Sequence, residues 1–165
     1  RYQRHHRQMK MFGTNDSPGI CAPPPLVYAS GLIGGGVLTW FYPIAAPAAA
    51  VRIVIGGVSI AVGLTVLLSV FIAMRRAGTN IEPWRPTTTV IESGFYAYSR
   101  NPIYVAMAIV YFGVAALFGL IWSLLFLPAC LVFIHFFQIL PEERYLEAKF
   151  GSSYIAYRSR VRRWI

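Results

Sequence analysis

Charge is what this sequence lacks. Only 13% of its 165 residues are Asp, Glu, Lys or Arg, where a soluble domain carries about a quarter, and the mean hydropathy is +0.54. A water-soluble single domain is disfavoured on that ground alone. Acidic residues are the scarcest, six in the whole chain. Cysteine is nearly absent too: Cys21 and Cys130 form no CxxC and no Cys/His cluster, so the sequence gives neither a disulfide framework nor a zinc site. His5 and His6 stand among arginines with no further ligand near them in sequence, and no metal site is expected.

What is there instead is long uncharged sequence. No Asp, Glu, Lys or Arg occurs from Ser17 to Val51, from Ile53 to Met74, or from Asn101 to Pro141, where His135 is the sole interruption. A membrane-crossing helix needs about 20 apolar residues. The first run predicts one helix, about Leu26 to Pro43, because Pro18, Pro23, Pro24 and Pro25 disfavour helix before it. The second predicts a helix from about Ala48 to Met74. As one helix the third would be about 60 Å long, twice a hydrocarbon core of about 30 Å. It must fold back near Gly119, into helices of about Pro102 to Phe118 and Ile121 to Leu140. The expected fold class is all-α: an integral membrane helical bundle of about four spans, the last two a hairpin, with short cytoplasmic C-terminal helices.

Four crossings place every basic residue except Arg52 on one face, and the positive-inside rule makes that face cytoplasmic. The protein is thus expected to be multi-pass, in the inner or plasma membrane if prokaryotic. A net charge of +9 could point to nucleic acid, but these charges flank apolar spans. Anionic lipid headgroups are the expected partner, not nucleic acid. Within the first span Gly31 and Gly35 have GxxxG spacing, and Gly56, Gly57 and Ala61 in the second are read likewise as close helix packing. Trp40, Phe41 and Tyr42 fit an aromatic belt.

Polar residues concentrate at the basic face. Residues 1 to 25 form a basic, proline-rich lead-in. The stretch Ala77 to Ser99 is polar, with Thr87, Thr88 and Thr89, and leads into Tyr98-Ser99-Arg100-Asn101-Pro102, where Asn suits a helix N-cap and Pro its first position. A capped helix N-terminus at this face still has free N–H groups and a positive dipole end, which suit an anionic ligand group. After the last span, Pro141, Glu142, Glu143, Lys149 and Gly151 mark a short helix. The tail from Ser153 to Ile165 has Tyr154, Tyr157, Val161 and Trp164 at helical spacing, predicting a basic amphipathic helix on the leaflet surface. No span carries a formal charge, which disfavours pumps and ion-coupled transporters. Carboxylates for ammonium or ribose hydroxyls, Arg for a carboxylate and rings for a base or sulfonium suit a small polar cofactor meeting an apolar substrate.

Gly94-Phe95-Tyr96, Ser99-Arg100-Asn101-Pro102-Ile103-Tyr104, the apolar hairpin, Glu142-Glu143, Leu146, Phe150-Gly151, Tyr154, Tyr157 and Arg163-Trp164-Ile165 occur in an order that resembles the isoprenylcysteine carboxyl methyltransferase family and the wider phospholipid methyltransferase group, in its prokaryotic form. The likeness covers about residues 80 to 165. It implies one methyltransferase-like domain over residues 26–165, with a cytoplasmic S-adenosylmethionine site formed by about 80–104 and 138–165. Carried over by position, the cofactor contacts would be Thr88, Thr89, Val90, Ile91, Tyr96, Asn101, Pro102, Ile103, Tyr104 and Glu142. Arg100 and Glu143 would be catalytic residues on the acceptor side, with Gln138 and Tyr98 facing the substrate. Eukaryotic members have His where this chain has Asn101, and an Arg serving the prenylcysteine carboxylate where it has Gln138. The implied reaction is methyl transfer to a lipophilic acceptor: an isoprenylcysteine-like carboxylate, a phospholipid amine or another small apolar molecule. A nicotinamide-dependent membrane sterol or lipid reductase and a non-catalytic scaffold remain as alternatives.

Overall fold

Two prolines open the first helix, α1 (Pro24–Phe41), at its first two positions. A fixed φ suits these positions and the missing N–H has no partner to lose there. The helix thus begins inside the proline run that was expected to precede it. In the computed structural model, residues 22–79 and 87–165 are described, and the expectations for His5, His6, Cys21 and the centre of the polar loop lie outside them. Next come α2 (Ala49–Arg76), a 3-10 turn at Gly94–Ala97, α3 (Pro102–Phe118) and α4 (Ile121–Ile134). A π-helical turn, His135–Ile139, joins α4 to α5 (Leu140–Phe150), and α6 (Ser152–Arg160) follows. There is no strand among the described residues.

The hairpin folds back where the sequence placed it. Gly119 adopts φ 67°, and Leu120 N–H donates to Ala115 O at 2.8 Å. A Cβ on Gly119 would stand 2.6 Å from Arg52 Nη1, the tip of a flexible side chain, so it is the left-handed backbone that calls for glycine. The other end differs from expectation. Pro141 does not end one helix and start another: α4, the π turn and α5 form one continuous helical stretch, Ile121–Phe150. Pro141 has no N–H to give Phe137, and its ring crowds that carbonyl. The turn widens instead, with Leu140 N–H donating to His135 O, five residues back.

Small residues set the packing. Gly35 of α1 lies directly against the Ser123 backbone, and a Cβ on Gly56 of α2 would come within 2.7 Å of Leu117 of α3. In α2 the close-packed positions are Gly56 and Gly63; Gly57 has open space beside it and Ala61 is exposed, which corrects the expected seam. A spacing of seven returns to the same helix face, whereas Gly57 is rotated about 100° from Gly56. Tyr28, Tyr104, Tyr111, Ala115, Cys130, Ile134 and Ile139 form the core. Its hydroxyls are satisfied: Tyr28 donates to Tyr104 O at 3.0 Å and Tyr111 to Ser123 O at 2.7 Å.

Two stretches, Ala49–Arg76 and Ile121–Phe150, are long and apolar enough to cross a membrane, and α3 is a shorter apolar helix. Only 17% and 28% of the apolar windows of the two long stretches are buried. Core helices of a soluble protein would be mostly buried; here Val54, Val58, Leu64 and Leu68 face outward, as in a membrane bundle.

The tail departs most from expectation. Helix α6 stops at Arg160 and Val161 is extended (φ −117°, ψ 132°), so Val161 and Trp164 do not continue an amphipathic helix. The residues after it turn back as a strap across the start of α3. Backbone bonds account for this, as described next.

Candidate functional site

The strap is held by its own carbonyls. Arg100 N–H donates to Arg162 O at 3.0 Å, Asn101 Nδ2 donates to Arg163 O at 2.9 Å, and Ser99 Oγ donates to the same oxygen at 3.4 Å. Asn101 therefore does not cap α3 with its side chain, as its sequence context had suggested. Its amide is spent on the strap, which leaves the first-turn N–H groups of α3 without a side-chain cap.

The strap brings Arg163 onto Glu143. Its Nε and Nη2 donate to the two carboxylate oxygens at 2.9 and 2.8 Å, a bidentate pair. Arg100 Nη1 meets Glu143 Oε1 from the other side at 3.0 Å, and the side chains of Arg100 and Glu143 are each only 8% exposed. Bonding to Glu143 raises the Arg163 pKa. Arg100 Nη1 also donates to Tyr154 Oη at 3.5 Å, while Arg100 Nε is buried without a partner. Burial, with Glu143 nearby, pushes the Tyr154 phenol up to about 12.

One helical step away, Glu142 Oε2 accepts the Tyr104 hydroxyl at 2.9 Å. No described residue bonds its other oxygen. Tyr96 belongs to the same cluster: its phenol pKa is raised by burial and then by the Glu142 carboxylate, and its carbonyl accepts the Tyr157 hydroxyl at 2.7 Å. Arg100, Asn101, Tyr104, Tyr96, Glu142 and Glu143 are thus gathered at one end of the bundle. Pro102 is buried and Ile103 partly buried in the first turn of α3. Thr88 is tied elsewhere: its Oγ1 donates to Gly78 O at 3.0 Å and its N–H to Thr79 Oγ1 at 3.2 Å, while Thr89, Val90 and Ile91 follow, partly buried. Gln138 is fully buried, donating to Ala22 O at the start of α1. Tyr98 is 74% exposed.

The chemistry of the donors fits a zwitterionic cofactor such as S-adenosylmethionine. A half-satisfied carboxylate at Glu142 can take an ammonium or ribose hydroxyls, and the orphaned Arg100 Nε and uncapped α3 start can take a carboxylate. Beside this polar end lies an apolar groove of about 740 Å³ between α3 and α4, walled by Val105, Phe112, Leu131 and Phe136, with Ser59 of α2 and His135 at its edge. Trp164 of the strap lines it, its indole nearly parallel to the His135 ring (20°, centroids 6.3 Å apart). Arg163 as the partner of Glu143, and Trp164 as a groove wall, are roles that helical spacing hid, because it assigned both to a surface helix. The available signal was the doubled arginine beside a tryptophan in a chain with only six acids.

The phospholipid methyltransferase family matches residues 51–153, which covers α2 through the junction of α5 and α6. The chain belongs to that family. Within this phospholipid methyltransferase family member, the matched region holds Arg100, Asn101, Tyr104, Glu142 and Glu143, and the strap lies beyond it. The chain is also 56% identical over 32 residues to an uncharacterized protein of Haemophilus influenzae. That match covers 19% of this chain and 51% of the relative, so the chain spans about half the length of the curated relative it matches. No solved structure matches.

Proposed function

We propose that the protein is a membrane methyltransferase that uses S-adenosylmethionine to methylate a lipophilic acceptor. The observation that carries this reading is the adjacency of two unlike sites: a partly buried, half-satisfied Glu142 carboxylate beside Tyr104, and an apolar groove opening along α3 and α4. The family supports the reaction type, and the polar end supplies groups of the right charge.

When bound, the cofactor supplies a methyl group on a cationic sulfur. The chain's own residues bind and orient. Glu142, fixed by Tyr104, takes the cofactor's ammonium or hydroxyls; Arg100 and the α3 N-terminus take its carboxylate; Tyr96 and Tyr104 offer ring faces. The Glu143 carboxylate, clasped by Arg100 and Arg163, holds these groups in place. Excluding water along the groove and aligning the two reactants supplies rate without a strong base. The polar end faces the cytoplasm in a four-span topology, where the surrounding arginines meet anionic lipid.

The test is thermal stabilisation of purified protein by S-adenosylmethionine or S-adenosylhomocysteine, against NADPH as control. Stabilisation by the first two, lost in Glu142→Ala while the fold persists by circular dichroism, is expected. Stabilisation by NADPH alone, or unchanged calorimetric affinity of Glu142→Ala for S-adenosylmethionine, overturns the assignment.

A further inference from the structure

Of the two polar side chains that line the acceptor groove, Ser59 and His135, the second carries an imidazole. It is the single titratable side chain among the groove's walls, and no Lys, Arg, Asp or Glu accompanies it there. It sits at the first position of the π-helical turn, where widening of the helix re-aims side chains relative to α4. Its ring is fixed on two sides, nearly parallel to Trp164 and edge-on to Phe136 at 5.0 Å between centroids. Trp164 in turn is placed by the strap whose preceding residue grips Glu143. Neither ring nitrogen of His135 bonds a described residue. The groove is therefore an apolar trough with a fixed, unengaged imidazole at its polar end.

From this juxtaposition we infer that His135 binds the head of the acceptor and sets its chemical class: an apolar chain ending in a neutral protic group, a hydroxyl or thiol. The inference rests on the methyltransferase reading above and adds the substrate class. The reasoning is electrostatic. An ionised carboxylate or ammonium in the groove would be stripped of water and find no fixed counter-charge on its walls, a cost of several kcal/mol for a buried ion. A neutral protic head needs one acceptor and offers one in return, and a neutral imidazole supplies both an N–H and a lone pair. The groove has room for an apolar chain: about 740 Å³ falls within the range of about 300–1,000 Å³ usual for small-molecule pockets.

The test is equilibrium binding of tritiated dodecanol, dodecane and dodecanoate to the full chain in lipid nanodiscs, for the wild type, His135→Phe and His135→Gln. The readout is the dodecanol-to-dodecane affinity ratio, which cancels any general loss of groove shape. His135→Phe is expected to lower that ratio about tenfold, the worth of one neutral hydrogen bond, and His135→Gln, which keeps a donor and an acceptor, to restore most of it. Dodecanoate is expected to bind more weakly than dodecanol in the wild type. A ratio unchanged in His135→Phe, or dodecanoate binding more tightly than dodecanol, overturns the inference. S-adenosylmethionine binding is measured on the same samples: its absence defeats the methyltransferase reading alone, whereas the dodecanol ratio reports on His135 alone.

Discussion

Replacing Glu143 with Gln keeps the side chain's shape and removes its charge from between two arginines. The consequences differ for the two. Arg163 has a side chain 35% exposed and can turn to water. Arg100 is 8% exposed, its Nε already lacks a partner, and its remaining contact is a 3.5 Å bond to Tyr154. Removing one partner of a buried ion pair costs about 3–5 kcal/mol. The amide retains one acceptor, so the lower end, about 3 kcal/mol, is expected. For a chain of this size each kcal/mol shifts Tm by about 2–4 °C, giving a fall of about 6–12 °C. Arg163→Met, which deletes only the partly exposed arm, should cost about 1 kcal/mol or less. The assay is a thiol-reactive fluorophore in a Cys21→Ser background, where signal follows exposure of buried Cys130 on unfolding. Replacing all three charges, Arg100→Met with Glu143→Leu and Arg163→Met, should recover much of the stability lost in Glu143→Gln, because no unpaired charge remains. The reasoning is refuted if Glu143→Gln lowers Tm no more than Arg163→Met does.

Gly119→Ala forces a side chain into the left-handed region and against Arg52; a loss of about 1–3 kcal/mol is expected, read as a lower Tm in the same thiol assay, and an unchanged Tm would count against a fixed hairpin turn. The tyrosine Tyr154 predicts alkaline sensitivity. Its folded pKa, about 12, lies above the ordinary value of 10.0, so its contribution is complete below about pH 10 and is lost as pH rises toward 12. The drop in Tm between about pH 8 and about pH 11 should therefore be smaller in Tyr154→Phe than in the wild type; equal drops would show that the phenol is no better shielded when folded.

Much of the bundle was legible because uncharged length translates directly into spans, and of the two glycines in the long third run Gly119 lies nearer its midpoint, where a turn leaves two helices of similar length. The cluster of Arg100, Tyr104, Glu142 and Glu143 was legible as well, since a hairpin returns its two charged ends to the same face. Pro141 misled because a π turn accommodates proline without ending the helix, and local rules for helix starts do not register that option. The tail misled for a different reason. Helical spacing continues through Trp164 in sequence, but Arg163 gains two charge-assisted bonds and its carbonyl two more donors by leaving the helix. Such contacts, 62 residues apart for Asn101 and Arg163, carry no local signature. Asn101 shows the same competition, its side chain bonding the distant strap in place of its own helix end.

The strap also imposes an order on biosynthesis. Residues 162–164 supply the carbonyls that engage Arg100 and Asn101, the guanidinium on Glu143 and a wall of the groove. All four apolar helices precede them in the chain. The helices can enter the bilayer and pack while these residues are still unmade, with the polar end open toward water. The polar end is thus completed only after the four apolar helices have been made, rather than growing with the bundle. A nascent chain arrested before residue 162 would be inserted and helical, yet its site would still be open.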